Sequence, residues 1–516
     1  MLTARTIRLM TLVALSFGLM TLSSRAEPID LSGVDPRDYV RDDWYLDRVD
    51  GKAAGYWRSR MAVEGDRIVT SYEEVRHETH GGEPSTYTTR TVWTETTDFE
   101  PIRVVIETQA GSDKVTKTYR FLPDGIELTS EQNGRSIRRV LDPIDAADAA
   151  GAAYFTPAQE TIATDLYLQR GVERFTFKTL DFNVGHQPFD TTYRRDKVET
   201  FVTADGREVD ATRWVRSFSA FPGFEVAHWF ADDRQLVGVA YRIEQVDIRS
   251  RLADATVADR EFDPPELAHL SVVVPDRKID RVHRQKRIVY ELGYNAGESP
   301  IVPMTTAKQR VVRLGPGRAR VTVDLAAEPD EAVRDDRPTD AHLDSSIMVD
   351  HEDAVVRALA NKAIERLGEE PTTREIAEAC KRQVARHLVG DSLSVGDGSA
   401  SEAARSRSGD CTEASVLLAA LLRVHGIQSR CVSGLVYSEQ AFVGQSHVFV
   451  FHMWTQAWIE DADGRGAWVD LDAAMWRYGA GHIALGASSM GDESRDELTR
   501  TIPMTQGLTI RVIETD

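Results

Sequence analysis

Near the C-terminal end of this sequence stand, in chain order, Cys411, His452 and two closely spaced aspartates, Asp470 and Asp472. A thiol attacks carbonyl carbon well only as the thiolate, so it needs a base. An imidazole can take that proton, and a carboxylate can hold the imidazole in the right tautomer and orientation. Together these residue types can transfer acyl groups through a covalent intermediate.

The segment around Cys411 reads "RSRSGDCTEASVLLAALLRVHGI". Gly409 loosens the backbone ahead of a turn, and Asp410 with Glu413 has the spacing of a reciprocal helix cap. That pattern predicts Cys411 at the first helical position, with Gly426 ending the helix. The helix is apolar almost all round, so it should be buried and rigid. Its positive end and unpaired N–H groups favour a thiolate and can donate to an oxyanion. The Asp410 and Glu413 charges oppose the thiolate, so a specific base is still required.

"SHVFVFHMWTQAWIED" reads as a long aromatic strand, "DADGRG" as a hairpin turn and "AWVDLDAAMW" as the returning strand. With a period of two, His452, Trp454, Gln456 and Trp458 share one face, and His447 points the other way. Asp470 and Asp472 share a face with Trp468, and the hairpin brings that region close to His452. Taken singly, a strand histidine is more often structural, and an aspartate at a strand end often caps a turn. Their order and placement favour convergence with Cys411.

The stretch "GDCTEASVLLAALLRVHGIQSRCVSGLVYSE", followed by "HMWTQAWIEDADGRGAWVDLDAAMW", resembles the transglutaminase-like superfamily, whose fold is related to papain-type cysteine proteases. The resemblance is strongest over about residues 403–476 and extends from about 345 to the C-terminal end. It implies Cys411 as nucleophile, His452 as general base and Asp472, rather than Asp470, as the orienting acid. The family's aspartate stands four residues after the strand tryptophan, here Trp468. Ala473-Ala474 departs from the Pro-Thr common after that aspartate, and Gln428-Ser429 from the Pro-Ala common at the helix exit. The resemblance further implies a thioester passed to water or to a lysine amine, on a protein or peptide substrate, with no nucleotide or redox cofactor. "DADGRGAWVDLD" places Arg465 and Val469 where a calcium loop needs oxygen ligands, so a dedicated calcium site is not expected.

The elements that must position these groups lie in a chain of 516 residues, long enough for two or three domains. Residues 1–26 carry Arg5 and Arg8, an apolar run from Leu9 to Leu22, and small residues Ser24 and Ala26, as a signal peptide does. The run is short of a membrane span, and no later stretch could form one. A secreted or periplasmic location is therefore expected. Residues 27–262 read as an antiparallel β-rich domain, a barrel or half-barrel, with turns at Asp124-Gly125, Asn133-Gly134 and Asp205-Gly206. A half-barrel would leave room for a hydrophobic ligand. Asp145 to Ala153 should interrupt it as a helical or loop insertion. Residues 263–344 read as a small β-sandwich-like segment and an acidic, exposed linker, and 345–516 as the catalytic domain. The fold class is thus α+β.

The net charge of −20 makes nucleic acid an unlikely partner, since phosphate backbones would repel the chain. Of the three cysteines, Cys380 and Cys431 lie among apolar neighbours and read as core, and whether they pair stays open. Zinc is poorly supported without a C-x-x-C or H-E-x-x-H pattern. The leading reading is an exported cysteine peptidase, amidase or acyltransferase. The alternative is a non-catalytic envelope-binding or scaffold protein with a vestigial transglutaminase-like domain.

Overall fold

In the computed structural model the described residues are 29–516 except 81–82, 111–112, 133–134, 142, 145–153, 186, 244–245, 265–271, 295–302, 316, 390–397, 441–444, 462, 476 and 492–507. The expected signal peptide, the Asp145 to Ala153 insertion and the Asn133-Gly134 turn lie outside them.

The N-terminal region is one fifteen-stranded sheet. Two meanders are spliced where strand Arg41–Val49 pairs antiparallel with Val246–Ala253. From the splice, one meander runs outward in chain order to Arg135–Leu141, and the other runs back to Tyr154–Phe155. These two outermost strands do not pair, so the sheet is an open curl and not a closed barrel. Its hairpins follow the local turn chemistry. Asp124-Gly125 joins Asp113–Leu122 to Gly125–Gln132, and Asp205-Gly206 lies between Phe189–Val202 and Glu208–Phe218.

A helix, Pro157–Gln169, packs inside the curl. Thr156 caps it in a reciprocal box with Gln159, and Pro157 takes the first-turn position where its missing N–H costs nothing. Ile162, Ala163 and Tyr167 bury against Phe175, Tyr193 and Trp214, and the Tyr167 and Phe175 rings stack at 4.5 Å. Glu160, Thr164 and Asp165 instead line a cavity of about 660 Å³, together with Thr70, Tyr193 and His228. The concave lining is therefore mixed, with polar groups set among apolar ones such as Trp93, Leu168 and Phe230.

The C-terminal region is built on a five-stranded sheet. Strand Ser429–Ser438 lies between Val448–Glu460 and His482–Ser488, and Gly466–Leu471 pairs with the far half of Val448–Glu460. Helices Ala354–Ile364, Thr373–His387, Ala400–Ser406 and Cys411–Val424 pack on one face, burying Val416, Leu417, Ala420 and Leu421 against Cys431, Met453 and Leu471. A small antiparallel sheet ordered Gln309–Gly315, Arg318–Asp324, Arg287–Tyr294 and Leu508–Thr515 also packs against this five-stranded sheet. Its Tyr290, Val321 and Val323 meet Leu435, Phe449 and Ile483, so the sandwich forms between this sheet and the sheet that carries His452. Strand Leu508–Thr515 comes from the chain's last residues.

The acidic stretch before residue 345 is mostly exposed yet pinned to the C-terminal sheet. Asp336 pairs with Arg430 at 2.8 Å and accepts from Trp468 Nε1 through its carbonyl at 2.7 Å. All three cysteines are free. Cys380 and Cys431 are fully buried, and burial pushes each thiol up to about 12. Among the described residues no helix is long and apolar enough to cross a membrane.

Candidate active site

Helix Cys411–Val424 begins at the thiol. The Asp410 carboxylate accepts from Thr412 N–H at 2.7 Å, and Glu413 accepts from Asp410 N–H at 2.9 Å, completing the cap expected from the spacing. Asp410 thereby occupies the second and third helical N–H groups. The N–H of Cys411 itself has no partner among the described residues. A side chain at Gly409 would place its Cβ 2.4 Å from that of Glu413, so only glycine lets the loop pass this close. Glu413 also accepts from Gly398 N–H at 3.0 Å. Burial, then the charge of Asp410, push its carboxyl up to about 8, which leaves it largely protonated at neutral pH. One of the two opposing charges expected from the sequence is thus removed. The helix is tied to the sheet by Thr455 Oγ1, which donates to the Ser415 carbonyl at 2.9 Å.

His452 sits in the strand beneath this helix start and is only 4% exposed. Its Nε2 donates to Asp472 Oδ2 at 2.8 Å. Cys411 is its other side-chain hydrogen-bond partner, which leaves Nδ1 for the sulfur. Burial depresses an imidazolium, but here the bonds to Asp472 and Cys411 outweigh it and lift the His452 pKa to about 10. Burial also pushes the Asp472 carboxyl up, yet the hydrogen bonds from His452 and then His482 win and hold it far below the usual carboxylate range. The structure therefore brings Cys411, His452 and Asp472 together.

The two aspartates have different surroundings because of register. Gln456 pairs with Asp470, so Asp470 stays within the ladder. Its Oδ1 accepts from Trp454 Nε1 at 2.9 Å and from Gln456 Nε2 at 2.7 Å. Asp472 lies one residue beyond strand Gly466–Leu471, where the chain is free to turn toward His452. Its Oδ1 accepts from Met475 N–H at 2.9 Å. His447 faces elsewhere, with Nδ1 3.2 Å from the Tyr437 hydroxyl.

His482 was not singled out from the sequence. It opens the strand on the far side of Ser429–Ser438, and its Nε2 lies 2.9 Å from the same Asp472 Oδ2. Trp454, fully buried, packs against both imidazoles, whose own ring centres are 5.7 Å apart. It stacks on His452 at 6.1 Å and meets His482 edge-on at 5.3 Å. Room for its ring comes from Gly434, where an added Cβ would fall 2.8 Å from the indole and 2.2 Å from the Ile483 carbonyl oxygen. The only sequence signal for His482 was a histidine at the start of the apolar run "HIALG". His452, Asp472 and His482 also have the donor types of a metal site, with ligating atoms within 4.8 Å of one another. The two Nε2–Oδ2 contacts at hydrogen-bond length account for that clustering without an ion.

Residues 359–473 match the model of the Transglutaminase-like superfamily, and this part of the chain is a transglutaminase-like domain. Among solved structures, the chain is similar to a beta-barrel-like protein of a domain of unknown function from Brucella abortus, at 10% identity over 41% of this chain and 95% of that one, with a TM-score of 0.31. It is also similar to a "Putative Cysteine Protease" from Cytophaga hutchinsonii, at 14% identity over 45% of this chain and 86% of that one, with a TM-score of 0.26. No curated protein matches the chain.

Proposed function

We propose that the transglutaminase-like domain is a cysteine acyl-transfer enzyme acting on peptide or carboxamide carbonyls, with Cys411, His452 and Asp472 as its catalytic set. The observation that carries this reading is a buried imidazole held between a thiol and a carboxylate. In this reading His452 holds the proton that Cys411 gives up, so the reacting pair is an imidazolium and a thiolate.

In the first step Cys411 Sγ attacks the carbonyl carbon. The oxyanion that forms lies at the helix start, where the Cys411 N–H has no partner among the described residues. The carbon–nitrogen bond breaks as His452 gives its proton to the leaving amine or ammonia, and a thioester remains. His452 then takes a proton from water, or from an acceptor amine, as that group attacks the thioester. Sγ leaves and the pair is restored. Asp472 stays ionised throughout and holds Nε2, which keeps Nδ1 aimed at sulfur. Export to an oxidising compartment fits the leader-like residues 1–26, and a single reactive thiol beside two buried ones fits such a setting.

The test is to incubate the purified protein with a proteome-derived peptide pool and a primary-amine probe, and to read the products by mass spectrometry. Cleaved peptides indicate hydrolysis, and probe incorporation indicates transfer. Cys411→Ser is expected to abolish either product while the fold stays intact. Undiminished activity in that variant would refute the assignment of Cys411, and no product together with Cys411 alkylating as slowly as Cys380 and Cys431 would favour the scaffold reading instead.

A further inference from the structure

His452 is not the only imidazole on Asp472. The carboxylate accepts three hydrogen bonds: Oδ1 from Met475 N–H at 2.9 Å, and Oδ2 from both His452 and His482 at 2.8 and 2.9 Å. Asp472 is fully buried, and both histidines are 4% exposed, so bulk water cannot replace a lost partner. We propose that His482 is a positioning residue of this site: it clamps Asp472 Oδ2 from the far side of the sheet, so that the carboxylate stays aimed at His452.

The direction of the His482 bond does not depend on its protonation state. Gly479 presents both its N–H, at 3.2 Å, and its carbonyl oxygen, at 3.1 Å, to His482 Nδ1. A neutral ring accepts from the N–H, and a charged ring donates to the carbonyl. In either state Nε2 keeps its hydrogen toward Asp472. The need for a clamp follows from chain geometry. Asp472 stands just past the end of strand Gly466–Leu471, so no ladder bond fixes it, and its carboxylate could otherwise rotate about χ1 and χ2. His482 is better anchored. It begins strand His482–Ser488, is in register with Val436, and is gripped by the Tyr478 ring at 4.7 Å and Trp454 at 5.3 Å. The far strand thus supplies the rigidity that the end of the near strand lacks. Outer hydrogen-bond partners of this kind set the orientation and basicity of a working imidazole.

The role rests on Cys411 being the nucleophile, so the test reads Cys411 directly. Full-length wild type, His482→Phe and His482→Gln are alkylated with iodoacetamide at neutral pH, and modification of each cysteine is followed by peptide mass spectrometry. His482→Phe is expected to slow Cys411 by about tenfold or more, the scale on which such partners act. His482→Gln keeps an N–H donor and is expected to recover most of that rate. In the Asp472→Asn background, His482→Phe is expected to add little, because its effect passes through the carboxylate. A wild-type rate in His482→Phe, equal slowing in folded His482→Gln, or an undiminished effect beside Asp472→Asn each overturns the proposal. If His482→Phe does not fold, the glutamine variant and its cycle with Asp472→Asn decide alone. Should wild type show no preference for Cys411, the catalytic reading itself fails. Preference for Cys411 that is untouched by His482→Phe removes only the clamp.

Discussion

Two regions of this molecule bury a histidine, with opposite results. In the C-terminal cleft His452 is 4% exposed, and in the N-terminal curl His228 is 8% exposed. His452 has a carboxylate on one side and a thiol on the other, and its pKa is lifted to about 10. At His228, Nδ1 has no hydrogen-bond partner among the described residues, the ring stands edge-on to Tyr193 at 5.5 Å, and Arg216 is close by. Burial, with the Arg216 charge adding to it, pushes this imidazole well below its ordinary value. Burial by itself makes a neutral ring. An anionic partner reverses the sign and makes a stored proton. The contrast is confined to the imidazoles. Asp472 uses both oxygens, but among the described residues Asp470 Oδ2 and the Tyr478 hydroxyl near it lack partners, as do Thr70 Oγ1 and Arg216 Nε beside the curl's cavity.

The sharpest way to break this comparison is to remove the anion. Asp472→Asn should lower Cys411 turnover and alkylation at neutral pH by roughly 10³- to 10⁴-fold, the scale seen when a catalytic imidazole loses its carboxylate. The readout is the pH dependence of Cys411 alkylation, and a wild-type profile would mean that Asp472 does not sustain the ion pair. Next in size is Gly434→Ala. Its Cβ meets the Ile483 carbonyl oxygen and the Trp454 ring, so about 3 kcal/mol of C-terminal stability should be lost in urea unfolding. An unchanged midpoint would show that the sheet yields there.

A third test compares the two histidines by pH. The His452 pKa is raised on folding, so its contribution is fully present below the unfolded value of about 6.5 and is lost as pH rises to about 10. The stability difference between wild type and His452→Gln should therefore shrink on going from pH 7 to pH 10. His228 has the reverse sign. Its folded value is depressed, so the unfolded chain binds the extra proton, and wild type loses stability as pH falls below about 6.5. The smallest effect follows from that. His228→Leu removes a buried ring whose Nδ1 has no partner among the described residues, and should stabilise the N-terminal region by about 1 kcal/mol at pH 7. The gain should grow toward pH 5 in thermal melts. A loss of stability at both pH values would indicate that His228 has a partner of its own.

Much of the cleft was legible because its signals are local. Gly409, Asp410 and Glu413 mark a helix start within five residues, and the "DADGRG" turn folds the His452 strand back upon itself. The open curl of the N-terminal sheet was legible only as an alternative to a barrel, because closure depends on how its outermost strands lie, far apart in sequence. The mixed cavity lining was not legible at all. No helix was expected where Glu160, Thr164 and Asp165 stand, and only the surrounding sheet turns them toward a cavity. The choice of Asp472 over Asp470 came from resemblance, and the register supplies its physical reason: Asp470 is held in the ladder by Trp454 and Gln456.

By itself the sequence determined the local chemistry: a capped thiol at a helix start, a histidine on an aromatic strand, and acids on the strand that returns. Cap geometry and strand alternation depend on neighbours a few residues away, so they can be read along one dimension. Tertiary structure alone decided that Glu413 is largely protonated, that Asp472 is the carboxylate His452 meets, and that His482 shares it. Those outcomes depend on burial and on contacts between non-adjacent strands, and dielectric environment and long-range proximity exist only once the chain has closed around them.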